Sequence, residues 1–392
     1  MTMQDLARTE LDTEGPAISP LKPGRGAATA AAVGPWRLML GKLLRQKVAM
    51  AAAVVVLLLY LVGAFAEFLA PSSPDLSRPQ YTYAPPQGLS LFVDTPDGGW
   101  EFKLHVKGHK IEIDPQALRR TFVVDDSKVV PVGFFVKGRP YKLWGLIPLD
   151  RHLIGPLNPN DPMYLLGADR LGRDLFSRLV HGTRISMSIG LVGVALSLIL
   201  GVTLGAVSGF YGGWVDMLIQ RLIEVVSAMP TIPLWLGLAA AIPLSWSPLQ
   251  VYFVITVIVS LLGWTGLARE VRGRFLALRG EDFVTAARLD GSGERRLIFR
   301  HILPSLTSHI LAVVTLAVPT MIVAETSLSF LGIGLKPPVV SWGVLLQDAQ
   351  SIRTVATAPW LLFWPGLAVV VAVLAFNFFG DGLRDAADPY ES

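Results

Sequence analysis

The stretch TAARLDGSGERRLIFRHILP, Thr285 to Pro304, lies between two apolar runs and joins two helix-forming patterns through a glycine-containing turn. Glycine adopts the left-handed conformation that ends helices, so Gly291 is expected to end the first helix. Ser292 is then placed to cap the second helix. That helix carries an apolar stripe of Leu297, Ile298 and Ile302. The stretch therefore predicts a charged helix–turn–helix unit that ends or changes direction at Pro304.

The composition around this stretch is that of a membrane protein. Of 392 residues, 52% are hydrophobic and only 16% are charged, and the mean hydropathy is +0.51. A soluble domain contains about 25% charged residues. The sequence has no cysteine, which excludes disulfides and thiolate metal sites. Basic residues do not alternate with aromatic residues in a patch, so nucleic acid is not an expected partner.

Six apolar runs approach or exceed the roughly 20 residues that a helix needs to cross a membrane. They are Val48 to Ala66, Ile185 to Val207, about Met217 to Ile242, Val251 to Leu267, His309 to Ala324 and Trp360 to Phe379. We therefore predict an all-α polytopic membrane protein with six transmembrane helices. Proline frees backbone groups inside a helix, so we expect bends at Pro230, Pro233 and Pro319.

The distribution of Lys and Arg predicts the orientation of these helices. Seven lie before Val48 and eight lie between Ala268 and Pro304, against none in residues 243–250 and two in residues 331–358. Short loops rich in Lys and Arg remain cytoplasmic, which places both termini and the opening stretch inside the cell. We predict a flexible cytoplasmic tail over 1–47, a first transmembrane helix over 48–70 and an extracytoplasmic segment over 71–163. The remaining residues, 164–389, then contain the other five helices.

The extracytoplasmic segment contains strand patterns. In WEFKLHVKG, apolar and polar residues alternate strictly from Trp100 to Val106, as in a half-buried strand. PDGG, Pro96 to Gly99, predicts a turn before it, and Gly108 predicts a turn into KIEID. We therefore expect a small β-rich insertion built from hairpins. His105 and His109 are expected to be exposed and free of metal, because a spacing of four in a strand does not place two ligands together.

The opening stretch resembles a signature of permease subunits in binding-protein-dependent ABC importers. The resemblance rests on Ala286 and Ala287, then Gly291, then His301, Leu303 and Pro304. It implies a short coupling helix, within about 281–304, that docks into a cleft of an ATPase subunit. Thr285 stands where the family usually has Glu, which removes one carboxylate from this surface. Without the resemblance, an ordinary basic cytoplasmic loop explains the stretch equally well.

Three further stretches resemble the second permease subunit of oligopeptide, dipeptide and nickel importers. They are YLLGADRLGRDLFSRLVHGTRISMSIG (Tyr164 to Gly190), ETSLSFLGIGLKPPVVSWGVLL (Glu325 to Leu346) and FNFFGDGLRDAADP (Phe376 to Pro389). The resemblance implies the type I permease fold of ABC importers in a bacterial inner membrane. It also implies a homologous second permease subunit, two ATPase subunits and an extracytoplasmic solute-binding protein as partners. Peptides are the favoured cargo, with nickel or another small solute as the alternative.

The residues themselves suggest roles at the external surface and in the pathway. Asp169, Arg173, Asp174 and Arg178 crowd beside a span and are expected to pair along a helix at the surface, with contact to a docking protein as the alternative. Trp342 suits a membrane interface, in a segment whose glycines and paired prolines exclude a regular helix. These five residues are candidates for an external gate or docking site. The resemblance assigns the pathway to the third and fifth spans, where Pro230, Pro233 and Pro319 lie.

Two charged residues within the third run, Arg221 and Glu224, lie three apart and are expected to pair. Enzymatic motifs are missing from the sequence: it contains neither the G-x-x-x-x-G-K-[ST] phosphate loop nor H-E-x-x-H. We therefore expect a transport subunit that binds no cofactor and leaves ATP and Mg²⁺ to its partners. Two other classes stay open, namely a secondary transporter or channel and a receptor or scaffold that functions through the β-rich insertion.

Overall fold

The apolar runs form long helices, and the segment between the first two runs forms an antiparallel sheet. The computed structural model describes residues 35–94, 100–113, 120–243 and 245–387. The helices are α1 (Pro35–Leu43), α2 (Lys47–Ala64), α3 (Ala66–Leu69), α4 (Leu175–Tyr211), α5 (Gly213–Ala228), α6 (Thr231–Ala240), α7 (Pro248–Leu278), α8 (Asp282–Leu289), α9 (Glu294–Arg296), α10 (Leu303–Ser305), α11 (Thr307–Phe330), α12 (Trp342–Gln347), α13 (Ile352–Thr357) and α14 (Trp360–Ala387). A π-helix, Leu297–Ile302, joins α9 to α10. The strands are β1 (Leu89–Asp94), β2 (Trp100–Ile113), β3 (Arg120–Leu143) and β4 (Ile147–Pro156).

Within the described residues, five helices are long and apolar enough to cross a membrane: α2, α4, α7, α11 and α14. The third predicted run is not a straight span. It forms α5 and α6, which meet at 85° across a break at Met229 and Pro230. Pro230 lies at the start of α6, where its fixed φ and missing N–H favour a new helix over continuation of α5. The number of spans is therefore five, or six if the bent pair is one span.

A stripe of glycines on α4 brings this helix close to α7 and α11. A methyl group on Gly205 would lie 2.5 Å from the backbone oxygen of Ala268, and one on Gly201 would lie 2.9 Å from Leu267. Gly190 faces α11 in the same way. Small residues allow helices in lipid to approach closely and gain van der Waals contact. This face of α4 therefore packs against the neighbouring helices.

The two ends of the helix bundle are distinguished by what lies on them. At one end, Ser72 beyond the first span donates its backbone N–H to Ser177 Oγ at the start of α4. We call this the sheet end, because the sheet lies between these segments in sequence and contacts α3. At the other end, Tyr211 at the close of α4 donates to Glu294 of α9. We call this the far end.

The predicted flexible tail contains an ordered element. Residues 1–34 lie outside the described part of the chain, but 35–43 form α1. Met39 and Leu43 of α1 are buried at the far end against Leu383 and Ala386 of α14. The apolar positions of α1 did not predict this helix, because the residues against which they pack lie about 340 residues later in the chain.

The insertion forms a four-stranded antiparallel sheet in the order β1-β2-β3-β4, which confirms its β-rich character. The predicted turn at Pro96–Gly99 falls outside the described residues. The predicted turn at Gly108 is wrong, because β2 continues through it and only a register shift marks the position. β3 has three extra residues at this point, 126–128, and both strands continue past them, as at a β-bulge. The predicted exposure of His105 and His109 is also wrong, since both are buried, and His109 packs against the ring of Phe122.

The close approach of α4 and α7 predicts the effect of a single methyl group. Gly205→Ala is expected to lower the free energy of unfolding by about 1–3 kcal/mol, because the added Cβ meets the backbone oxygen of Ala268. Gly266→Ala on α7 is the matched control, since a Cβ there has no atom within 4 Å. Equilibrium unfolding of the purified chain in mild detergent measures both. Equal stability of the two variants would contradict this account of the helix interface.

Candidate functional site

The opening stretch forms the helix–turn–helix unit that its pattern predicts, at the far end of the bundle. α8 ends at Leu289, and Gly291 has a φ of +78°, as a residue that ends a helix in the left-handed conformation must. The N–H of Ser292 donates to Ala287 O, and the N–H of Gly291 donates to Arg288 O. These two bonds close α8 in a Schellman arrangement.

The predicted capping role of Ser292 is wrong. Gly293 is the residue before α9, and that helix has no side-chain cap. Ser292 already belongs to the end of α8, because its backbone N–H closes that helix. The chain then passes through the π-helix into α10 and reaches α11 at Thr307. Pro304 lies inside α10, and the break that redirects the chain follows it at Leu306.

One face of this unit is fixed to the long helices. Val284 and Ala287 of α8 are buried in one cluster with side chains of α4 and α7 and of the π-helix. The cluster also contains Ala206, Leu267, Val271, Phe275, Leu297, Ile298 and Ile302. Burial of this much apolar surface holds α8 as one body with the ends of α4 and α7. The unit therefore follows any movement of those helices.

The opposite face of the unit leaves apolar side chains uncovered. Leu289 is 84% exposed and Phe299 is 67% exposed, and Phe283 is partly exposed on the same helix as Leu289. Thr285 and Ala286 are exposed between them. We use the name apolar docking face for these exposed apolar residues, Phe283, Ala286 and Leu289 of α8 and Phe299 of the π-helix. Its signal in the sequence is a second stripe at positions 283, 286 and 289, beside the buried stripe at 284 and 287.

The remaining predicted coupling residues have different surroundings. Ala287 is buried in the cluster described above, and Leu303 is half-buried. Pro304 is exposed, and a Cβ on Gly291 would meet no atom within 4 Å. His301 is half-buried, and its Nε2 has no hydrogen-bond partner among the described residues. Thr285, Ala286, Gly291 and Pro304 are therefore accessible, whereas Ala287 supports the face from beneath.

Near the sheet end of the bundle, a buried carboxylate joins three segments. Glu325 of α11 is completely buried. Ser329 and Ser341 donate to its Oε1 at 2.7 Å each, and Ser186 of α4 donates to its Oε2 at 3.4 Å. A buried carboxylate needs such donors, because a charge without partners in a low-dielectric site is strongly destabilised. The network ties the segment between α11 and α12 to the two long helices.

The serines of this network also hold the backbone of that segment. Ser329 Oγ accepts from the N–H of Leu335, Ser341 Oγ accepts from Val344, and Ser186 Oγ accepts from Trp342. The irregular backbone after α11 is thereby satisfied, as segments without regular structure require at membrane depth. One signal in the sequence points to Glu325, a lone ionisable residue directly after an apolar run, but its three serine partners are visible only in the fold.

The predicted position of Trp342 at a membrane interface is wrong. Trp342 begins α12 and is completely buried against the core of the bundle. Its position follows from the network, because its backbone N–H donates to Ser186 Oγ and the hydroxyl of its neighbour Ser341 donates to Glu325. The absence of a regular helix from 332 to 341 agrees with the prediction. The segment folds back into the bundle.

The charged residues before α4 form a buried network at the sheet end. Arg173 Nε lies 2.7 Å from Asp169 Oδ2, and Arg178 Nε lies 3.4 Å from the same oxygen. Arg170 pairs with Asp348 at 3.0 Å. Pairing was predicted, but Asp169 and Arg173 lie in the loop before α4 and are buried, so the expected surface helix is wrong. The loop folds inward because Asp169 Oδ1 accepts from the backbone N–H groups of Leu171 and Arg173.

Asp174 caps α4. Its carboxylate accepts from the N–H groups of Phe176 and Ser177 and from Ser177 Oγ, which satisfies donors that the first turn of a helix leaves free. Burial raises the pKa of Asp174 to about 6, against the lowering effect of these bonds. Asp169, Arg173, Asp174, Arg178 and Trp342 are thus buried and held by contacts within the chain, and their part in gating or docking stays a prediction.

The predicted bends in the pathway differ among the three prolines. Pro230 marks the 85° break, and Pro233 lies in the first turn of α6, where its missing N–H is not needed. Pro319 lies inside α11, which runs unbroken from Thr307 to Phe330.

Arg221 and Glu224 pair at 2.6 Å, as predicted, and are exposed on α5. Throughout the described ranges, His, Asp and Glu form no group of three that could hold a metal ion.

The chain belongs to the binding-protein-dependent transport system permeases. Residues 201–390, which contain the helix–turn–helix unit and the Glu325 network except Ser186, match the family of binding-protein-dependent transport system inner membrane components. Residues 34–86 match the N-terminal TM domain of oligopeptide transport permease C. The protein is therefore a multi-pass inner-membrane permease component of an ABC importer. The two matched ranges lie on either side of the four-stranded sheet.

Three relatives illustrate the similarity. A dipeptide transport system permease protein of Alkalihalophilus pseudofirmus is 40% identical over 57% of this chain and 71% of its own length. A glutathione transport system permease protein of Pectobacterium atrosepticum is 38% identical over 64% and 79%. An oligopeptide transport system permease protein of Bacillus subtilis is 37% identical over 61% and 75%. Among solved structures, an inward-facing methionine ABC transporter, MetNI, aligns with a TM-score of 0.44 at 16% identity, over 55% of this chain and 98% of that one.

The buried network predicts that Glu325 is needed for stability. Glu325→Ala leaves the hydroxyls of Ser329 and Ser341 without their acceptor and is expected to lower the free energy of unfolding by about 1–3 kcal/mol. Glu224→Ala removes an exposed ion pair and is expected to change it by about 0–1 kcal/mol. Equilibrium unfolding in detergent measures both, and limited proteolysis reports whether residues 331–350 are released. Equal behaviour of the two variants would contradict the anchoring role.

Proposed function

We propose that the chain forms half of the translocation pathway for di- and oligopeptides that a solute-binding protein delivers, and that it couples to ATPase subunits through residues 285–304. The dipeptide, oligopeptide and glutathione permeases among its relatives support a peptide cargo. Nickel or another small solute is the alternative cargo. The chain itself supplies the pathway and the lever, and its partners supply the ATP chemistry.

The observation that carries this proposal is the two-faced coupling unit. α8 buries Val284 and Ala287 against α4 and α7, while its opposite side presents the apolar docking face. A pair of aromatic and aliphatic side chains left exposed beside several arginines is typical of a surface that a partner protein covers. ATP-driven closure of two ATPase subunits would move this unit, and α7 and α11, which flank it directly, would transmit the movement.

The proposed topology counts the bent pair α5 and α6 as the third of six spans. Both termini and the coupling unit then lie in the cytoplasm, in agreement with the excess of Lys and Arg near the first span and after Ala268. The sheet end faces outward in this topology. We assign residues 164–389 to the permease core and residues 71–163 to the extracytoplasmic insertion, where the solute-binding protein would arrive.

The bent pair is also the proposed contact with the homologous second permease subunit. Apolar residues of α5 and α6 are widely exposed, including Met217, Leu218, Leu222, Val225 and Ile232. The break at Pro230 turns α6 by 85° relative to α5, so the pair does not form one straight span. A second subunit packed here would place the broken span between the two halves of the pathway.

A stand-alone secondary transporter or channel is the competing class. It would explain bent and broken helices but assigns no role to the apolar docking face. A receptor or scaffold acting through the sheet is a third class, and it assigns no role to the glycine-packed helices. Vesicles separate the first two: uptake that needs ATP and co-expressed ATPase subunits supports the importer. Uptake driven by a proton or sodium gradient alone would overturn it.

The apolar docking face predicts that one negative charge introduced there weakens binding of the ATPase subunits. Leu289→Asp is expected to lower both the recovery of ATPase subunits with the purified chain and ATP-dependent uptake by at least about tenfold, since losing an interface contact worth about 1.4 kcal/mol has that effect. Leu91→Asp is the matched control, because Leu91 is another exposed leucine but lies on β1. It is expected to leave ATPase recovery unchanged.

Two outcomes would contradict the coupling role. Normal ATPase recovery with Leu289→Asp would show that the face is not in contact with the ATPase. A loss of recovery with both variants would show a general effect of added charge.

The peptide cargo predicts a competition pattern. Uptake of a labelled tripeptide into vesicles that contain the assembled importer and its binding protein is expected to fall when unlabelled oligopeptides are added in excess. Ni²⁺ in the same excess is expected to leave uptake unchanged, because it lacks the peptide backbone groups that a peptide site binds. ATP-dependent uptake of Ni²⁺, with no uptake of the tripeptide, would support the alternative cargo.

A further inference from the structure

The turn between β3 and β4 is apolar and uncovered. Residues 142–149 read KLWGLIPL, and Leu143 pairs with Ile147 at the base of the turn. Leu146 at the tip is 78% exposed and Trp144 is 51% exposed. Ile147 and Leu149 are exposed beside them. Turn residues in water are usually Gly, Pro, Asn, Asp or Ser, so this composition is that of a turn in a different environment.

This hairpin tip lies against the end of the first span. The indole N–H of Trp144 donates to Ala64 O, the last residue of α2, at 2.7 Å. The ring of Trp144 lies 6.0 Å from that of Phe65, and the ring of Phe135 lies 6.0 Å from that of Phe68. These contacts fix the height of the tip relative to the membrane, because α2 is itself a membrane span.

An open apolar groove of about 550 Å³ continues from the hairpin along the span. Leu143 and Leu149 form its hairpin side, and the other lining residues are Leu58, Leu61, Val62, Phe65, Phe68 and Leu69. Leu58 and Leu61 lie one to two helical turns inside α2 and are exposed on its surface, as lipid-facing residues of a span are. The groove therefore joins the hairpin to a surface that the bilayer already covers.

Basic residues flank the apolar tip. Between residues 137 and 151 the hairpin carries Lys137, Arg139, Lys142 and Arg151 against one acidic residue, Asp150. All four basic residues are exposed. Lys and Arg near a membrane surface are attracted to anionic headgroups, and tryptophan favours the level of those headgroups. An apolar tip below a tryptophan and a basic rim is the order of residues that a membrane-inserted loop requires.

We propose that the tip of the β3–β4 hairpin, Leu143 to Leu149, inserts into the membrane leaflet on the sheet side, with phospholipid acyl chains in the groove beside α2. The β-rich segment between the first two spans is then held at two points, by its covalent connection to the spans and by lipid at its hairpin tip. The continuity of the groove with the lipid-facing surface of α2 favours lipid over a protein as the occupant. This inference depends on the span α2 and is independent of the proposed cargo.

The cysteine-free sequence allows a direct test on the full chain in the assembly in which it is purified. Leu146→Cys, labelled with the environment-sensitive fluorophore NBD, is reconstituted into liposomes of phosphatidylcholine and phosphatidylglycerol. Quenching by phosphatidylcholine with a doxyl group high in its acyl chain is compared with quenching by iodide, which is present on both sides of the membrane. Leu91→Cys on β1, the opposite edge strand, is the matched aqueous control, and Leu57→Cys on α2 is the lipid-facing reference.

The ratio of doxyl quenching to iodide quenching is expected to be several-fold higher at position 146 than at position 91 and to approach the value at position 57. Ile147→Cys is a second position at which the same result is expected. Iodide quenching at position 146 equal to that at position 91 would show that the tip lies in water. Protection of position 146 from both quenchers would show that a protein covers it, and either result overturns the proposal.

Discussion

The close approach of α4 to α7 is the constraint on which the other helices depend. It requires glycine at positions 201 and 205, because a methyl group at either would overlap the facing helix. With these helices in contact, the far end of the pair presents one apolar surface, and the helix–turn–helix unit packs its buried face on it. Because this face packs on both helices, we expect the unit to move with them, as the proposed coupling requires.

Toward the sheet end of α4, polar contacts join this helix to α11. Glu325 holds Ser329 of its own helix and, through Ser341 and Ser186, fixes the segment before α12 to α4. Buried polar networks stabilise one arrangement only while every member is paired, so a shift of α11 relative to α4 would break several bonds together. The helix–turn–helix unit and this polar network thus lie at opposite ends of the bundle, and both contact α4.

Patterns of local chemistry predicted several features correctly. The length of the apolar runs located the membrane helices, Gly291 marked the end of α8, and alternation from Trp100 to Val106 indicated a strand. Two of the errors share one cause, because each concerns burial by another part of the chain. Trp342 and Asp169 were expected at a surface, and both are buried by partners from other segments. The third run met the length of a span, but Pro230 divides it into two helices at 85°.

The sequence by itself determined that this chain is a membrane protein, because apolar length and the excess of Lys and Arg in short loops are local properties that no packing can alter, and its motifs carried a resemblance to the permease family. The tertiary structure alone decided which residues of the motif face outward, where Leu289 is exposed and Ala287 is buried. It also decided that Glu325 meets three serines and that Trp144 meets the end of the first span. Burial and pairing depend on what the rest of the chain places around a residue, and that is fixed only when the chain folds.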